Sequence, residues 1–478
     1  MSALGVAMTL AVIGGLLVST ASAAAGSVET ARAHRRDAPR IFVAAHEIMA
    51  DDAFHIAVGN LEPGELVTLR LTIDAGAVTV TSGTTWDSTA TFRAGRRGAV
   101  DLSRDAPVAG SYNGVDPMGL FWSARPTMVR AVPNASPITE RTHLDAIVAG
   151  RPIASTELVL DFLRPHATAT SVDEAGLVGT LFEPAGGGRH PAMVVFGGSE
   201  GGKLFTDPQA ALFASHGYVA LSLAYFGLPG LPADLSDIPL EYFGRAIDWL
   251  AHQPRVDPDR IGVRGGSRGG ELALLLGTRF PQLRAVVAAA PSSVVWSGTS
   301  MTDLTAVFRP AWTDNGQPVP FLIPDIASLF TAGPFQSYLT ALHAPAAASA
   351  AIPVEDINGP VLLMNGADDQ LWPSPEMSEQ VLARLRANHH PFPDELISFP
   401  GTGHVITLPG LPTTTDTAGG DPADSARAAR AAWAWTLRFL DENLACAFPT
   451  RARSPVRQLA TRLEHRSCVV VRRIGGGH

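Results

Sequence analysis

The sequence predicts two folded units in series: an all-β sandwich over residues 38–165, then a doubly wound, mostly parallel α/β sheet over residues 172–445. Two textures carry this reading. Between residues 40 and 163, short alternating runs such as 54–58 and 66–71 are separated by Asn60, Pro63, Gly64 and Gly76, with no helical stretch. That is the pattern of an antiparallel sandwich. After about Ser171, solid apolar runs alternate with helical spacing, as strands covered on both faces require. Composition allows cores of this size, since 46% of the 478 residues are hydrophobic and only 17% are charged.

At the N-terminus, residues 7–18 are almost wholly apolar and run into the small-x-small triplet Ala21-Ser22-Ala23. Residues 1–23 are therefore expected to be a signal peptide, because the run falls short of the roughly 20 residues that span a bilayer. This places the protein outside the cell or in the periplasm, with the cytoplasm as the alternative. In an oxidising compartment Cys446 and Cys468 are free to pair.

In the α/β half, strands are expected at 192–196, 219–223, 261–263, 285–289, 361–364 and 396–399. Helices are expected at 208–216, 240–252, 375–387 and 425–444. The second of these places Leu240, Phe243, Ala246, Ile247 and Leu250 on one face. Residues 297–356, with Phe308, Trp312, Phe321, Phe330 and Phe335, break the rhythm and read as an insertion over one end of the sheet. His389 and His390 close a helix and are expected to be exposed. The tail, 446–478, sets seven arginines against Glu464 and reads as a solvated extension.

Charge and cysteine usage narrow the function. With 36 Lys and Arg against 45 Asp and Glu, the net charge of −9 argues against a nucleic-acid partner. Two cysteines exclude a disulfide-dense scaffold and a four-cysteine zinc site. Paired metal-ligand spacings are absent too, so no metal or cofactor is expected.

The chemistry concentrates in three places. Residues 261–270 read Ile-Gly-Val-Arg-Gly-Gly-Ser-Arg-Gly-Gly, a G-x-S-x-G where a strand meets a helix. In that context the motif is a nucleophile elbow of the α/β-hydrolase fold, with Ser267 at its apex. Gly265 and Gly269 relieve crowding around the turn, and Gly270 lets the helix approach the strand. A serine nucleophile needs a base oriented by an acid, in the chain order serine, acid, histidine. Asp369 follows the strand at 361–364, at the sheet edge where ligands bind. It has better register than Asp368, which is left to cap the next helix. His404 follows the last strand in a glycine-flanked loop. For the oxyanion, one donor is the Arg268 amide; the second is Ser199 or a flanking residue in the loop 197–202, Gly-Gly-Ser-Glu-Gly-Gly.

With these residues the chain resembles the family of acyl-CoA thioesterases and bile acid-CoA:amino acid N-acyltransferases. The likeness lies in Leu61-Glu62-Pro63-Gly64, the run from Gly110 to Trp122, Ala224-Tyr225-Phe226, Leu240-Glu241-Tyr242-Phe243, the elbow, and Asp368-Asp369-Gln370-Leu371-Trp372. It implies an immunoglobulin-like domain before an α/β-hydrolase, with Ser267, Asp369 and His404 at the triad positions, and a fatty acyl-CoA substrate. Members that conjugate bile acids resemble this chain but carry cysteine as nucleophile; serine here favours water as acceptor. Rival readings are an exported carboxylesterase, an acyl-CoA:amine N-acyltransferase, and a secreted binding protein with an inert site.

Overall fold

The computed structural model describes residues 37–76, 84–129, 138–300 and 302–445. The signal peptide expected at 1–23, the tail at 446–478 and both cysteines lie outside the described residues.

The chain first forms an all-β unit. A seven-stranded sheet runs through Glu47–Met49, Arg151–Asp161, Thr139–Val148, Leu66–Ala75, Thr84–Arg93 and Ala109–Gly110, with Arg125–Val129 also pairing Thr84–Arg93. A three-stranded sheet of Arg40–Val43, Ile56–Gly59 and Val100–Asp101 completes it. Alternation decides the core: Val67, Leu69, Leu71 and Ile73 of one strand are all buried, against Phe54, Phe92, Phe121 and Leu144. One expectation fails here. Gly119–Trp122 is a single helical turn, entirely buried. Four residues are too few to show helical periodicity.

The second unit is built on eight strands: β1 (Thr168–Glu174), β2 (Leu177–Glu183), β3 (His190–Phe196), β4 (Val219–Ala224), β5 (Val256–Gly266), β6 (Leu283–Ala289), β7 (Val361–Gly366) and β8 (Asp394–Phe399). Their spatial order is β1-β2-β4-β3-β5-β6-β7-β8. Both pairings of β2 are antiparallel; every other pairing is parallel. This is an α/β-hydrolase sheet. Alternate residues of β3 feed opposite cores, Ala192, Val194 and Phe196 on one face and Met193 and Val195 on the other. Helices α1 (Thr206–Ser215), α2 (Leu240–Ala251), α3 (Arg268–Arg279), α4 (Ser374–Ala387) and α5 (Pro422–Leu440) cover those faces. The expected stripe on α2 is buried throughout.

β1 and β2 begin before the apolar runs that mark the sheet in the sequence. β1 is an edge strand with one buried residue, Val172, so it carries no apolar pattern to read. Residues 297–356 form short strands, 3-10 turns and two short helices, Ile326–Ala332 and Pro334–Leu342. The His390 side chain is buried, contrary to expectation: Nδ1 lies 2.9 Å from Asp394 Oδ2 and Nε2 2.8 Å from the Ile357 carbonyl oxygen. No helix among the described residues is long and apolar enough to cross a membrane.

The two β-rich units are joined by specific contacts. Asp116, in the Gly110-to-Trp122 run, accepts from Trp122 Nε1 at 2.9 Å and Arg430 of α5 at 3.3 Å. Asp51 accepts from Trp433 of α5 at 3.0 Å and lies 2.5 Å from His216 Nε2. Thr413 donates its amide to the Trp122 carbonyl at 3.0 Å, and Thr414 its hydroxyl to the Ala124 carbonyl at 2.5 Å.

Candidate active site

The turn between β5 and α3 is sharp because of what it leaves out. Ser267 sits at φ 57°, ψ −124°, a left-handed conformation that costs a non-glycine residue on the order of 1–3 kcal/mol. A Cβ on Gly265 would stand 2.1 Å from the Gly269 carbonyl oxygen, and one on Gly269 2.4 Å from that of Gly197. One on Gly270 would meet the Ala289 carbonyl oxygen at 2.7 Å. Only glycine fits at all three. The Ser267 amide donates to Ala289 at 2.8 Å, which ties the strained residue to β6.

The loops after β7 and β8 bring the other two side chains to this serine. His404 Nε2 lies 2.8 Å from Ser267 Oγ, and His404 Nδ1 lies 2.8 Å from Asp369 Oδ2. The loops approach closely, since a Cβ on Gly366 would lie 2.0 Å from the Gly403 carbonyl oxygen. Asp369 is almost fully buried and well anchored. Its Oδ1 accepts from the amides of Leu371 and Trp372 at 2.9 and 3.2 Å, and its Oδ2 from Ser374 Oγ at 2.5 Å. Asp368 is exposed, and its side chain makes no hydrogen bond among the described residues. Neither aspartate caps α4, which is preceded by Pro373 and has no side-chain cap. Asp369 closes the tighter turn before it.

The neighbours fix the histidine. The Trp372 ring meets that of His404 edge-on, centroids 5.6 Å apart at 79°. Asp416 accepts from the amides of Ala418 at 2.8 Å and Val405 at 3.3 Å, shaping the loop around His404. Burial pushes the Asp416 carboxyl above the usual carboxylate range.

Behind the elbow, Arg268 and Glu271 form a buried ion pair at 3.3 Å. Trp312 donates to Glu271 at 2.8 Å, and Arg268 to the Trp296 carbonyl at 2.9 Å. Burial pushes the Glu271 carboxyl up to about 7, against the opposing pull of Arg268 and Trp312. The backbone amides of Arg268 and Ser199 donate to no acceptor among the described residues, whereas the Gly198 amide donates to Glu200 Oε1 at 2.9 Å.

Sequence reasoning missed Ser374, Asp416 and the Arg268–Glu271 pair. Ser374 opens α4 five residues beyond Asp369, and nothing in its spacing marks it as a partner of the acid.

Two family models match this chain. One, described as acyl-CoA thioester hydrolase/BAAT N-terminal region, covers residues 51–174; the other, BAAT / acyl-CoA thioester hydrolase C terminal, covers residues 238–446. The chain belongs to the acyl-CoA thioester hydrolase/BAAT family. It is 30% identical to the Homo sapiens bile acid-CoA:amino acid N-acyltransferase over 419 residues, spanning 83% of this chain and 96% of that protein. It is 28% identical to Homo sapiens acyl-coenzyme A thioesterase 6 over 418 residues, 82% of this chain and 94% of that one. The Mus musculus peroxisomal succinyl-coenzyme A thioesterase is 28% identical over 369 residues, 76% of this chain and 84% of its own length. The thioesterase/BAAT models together reach both the sandwich and the α/β-hydrolase unit.

Proposed function

We propose that this protein hydrolyses acyl thioesters, fatty acyl-CoA to free acid and CoA, through a serine acyl-enzyme. One observation carries the reading: His404 reaches both Ser267 Oγ and Asp369 Oδ2 at 2.8 Å. The thioester substrate rests on the relatives, several of which are acyl-coenzyme A thioesterases.

In this reading His404 Nε2 takes the Ser267 proton as Oγ attacks the thioester carbonyl carbon. Asp369 keeps the other proton on Nδ1 and stabilises the imidazolium. The oxyanion faces the amides of Arg268 and Ser199. When the carbon–sulfur bond breaks, His404 returns the proton to the departing thiolate. Water then attacks the ester carbonyl with His404 as base, releasing the acid and restoring Ser267.

The test is an acyl-CoA chain-length series on wild type and Ser267→Ala. Loss of a triad nucleophile costs several orders of magnitude, so residual turnover above roughly a tenth of wild type overturns the assignment. The 30% identity to an N-acyltransferase supports a second reading, transfer of the acyl group to an amine. Glycine conjugate forming faster than free acid in the same assay would favour it.

A further inference from the structure

Tyr225 follows β4 and is buried between the elbow and the loop after β3. Its ring packs against Phe226, Phe243 and Trp312, with centroids 5.1, 5.4 and 5.8 Å away. Its hydroxyl is turned toward the loop, donating to the Gly197 carbonyl at 2.7 Å with the Gly198 carbonyl as a longer second acceptor at 3.2 Å. Burial raises the phenol well above its ordinary range, and the nearby Glu200 charge adds to this, so the hydroxyl stays a donor.

In a planar trans peptide the N–H points opposite to the preceding C=O. Holding the carbonyls of Gly197 and Gly198 toward a buried hydroxyl therefore turns the amides of Gly198 and Ser199 the other way. Two observations show what lies beside this loop. The Gly198 amide is taken by the Glu200 carboxylate at 2.9 Å, so this face of the loop already holds an anionic oxygen. A Cβ on Gly198 would stand 3.1 Å from Ser267 Cβ and 3.0 Å from Glu200 Oε2, so the nucleophile and that carboxylate flank the same glycine.

We infer that Tyr225 is a positioning residue: its hydroxyl locks the 197–199 loop so that the Ser199 amide faces the oxygen of the substrate carbonyl attacked by Ser267. This rests on the serine-hydrolase reading above. Among the described residues the Tyr225 hydroxyl bonds to the two loop carbonyls and not to Ser267. It acts through the two carbonyls.

The experiment compares Tyr225→Phe with wild type on a p-nitrophenyl acyl ester and its thionoester, in which sulfur, a weak acceptor, replaces the carbonyl oxygen. Tyr225→Phe keeps the ring and removes only the hydroxyl. An aimed amide is worth far more to an oxyanion than to a thio-anion. Ester kcat should fall roughly ten- to hundredfold with KM unchanged, while thionoester kcat falls no more than about twofold. Tyr218→Phe is the control, because Tyr218 is also buried but donates its hydroxyl to Asp441 at 2.8 Å and not to the 197–199 loop. It should leave the ester-to-thionoester ratio at the wild-type value. Equal losses on both substrates, no loss on either, or the same change of ratio in Tyr218→Phe would overturn the inference. Fluorophosphonate labelling separates this from failure of the parent reading. Wild type that labels at Ser267, with an unchanged ratio in Tyr225→Phe, defeats the positioning role alone. Wild type that does not label at Ser267 defeats both.

Discussion

Arg268 and Glu271 meet at 3.3 Å inside the protein, one helical turn apart, with side chains 3% and 0% exposed. The pair sits on the first turn after Ser267 and reaches Trp312 of the insertion and Trp296 just ahead of it. Two buried charges are tolerable together and costly apart.

Arg268→Met should therefore destabilise the protein by about 3–5 kcal/mol, because it leaves the Glu271 carboxylate buried without its cation. Glu271→Gln should cost a similar amount, since it leaves the buried Arg268 guanidinium without its anion although the amide oxygen still accepts from Trp312. Urea unfolding at pH 8 checks both, and a loss under about 1 kcal/mol in either variant would contradict the pairing.

The same carboxyl gives a pH signature. Its folded value of about 7 lies above the ordinary 4.5, so between those values the folded protein holds a proton that the unfolded chain has released. Stability from this group is complete below about pH 4.5, declines through the window and levels off above about 7, a change on the order of 3 kcal/mol. Unfolding of Glu271→Gln across that range should lack this decline.

Asp369→Asn should lower kcat roughly 10³- to 10⁴-fold, because the amide holds His404 in the wrong tautomer and does not stabilise its cation. Asp368→Asn should leave turnover unchanged, as its exposed side chain contacts nothing in the site. Equal losses would mean that the orienting acid is elsewhere.

Gly269→Ala would drive a methyl against the Gly197 carbonyl, 2.4 Å away, and push the β3 loop off the elbow. A loss of roughly 1–3 kcal/mol in stability is expected, with kcat falling further than KM rises. A variant as active as wild type would show that the loop has room to move.

Most of this fold was legible because its signals are local. Solid apolar strands, the stripe on α2 and the glycines around Ser267 each declare themselves within a dozen residues. The choice of Asp369 over Asp368 as the partner of His404 rests on a subtler feature: three residues beyond Gly366, the chain turns back and buries Asp369 while Asp368 is exposed. What escaped depends on pairs remote in sequence. Ser374 matters only because the turn before α4 aims it at Asp369. Glu271 finds a hydrogen-bond donor in Trp312, 41 residues on. His390 reads as a surface residue until Asp394 and Ile357 close over it. β1 was silent because an edge strand with one buried side chain has no hydrophobic pattern to show.

Thr413 and Thr414 lie on the loop that carries His404, and both hydrogen-bond to the sandwich backbone at Trp122 and Ala124. The loop that carries His404 is thus braced from the neighbouring unit, on carbonyls that end the buried turn Gly119–Trp122 and its exit. Cutting the chain ahead of β1 would spare every side chain named in the chemistry and still take away the brace. The first unit therefore helps to hold the loop that carries His404, and under the proposed chemistry changes at residues 119–124 should be felt as changes in turnover, well outside the hydrolase fold itself.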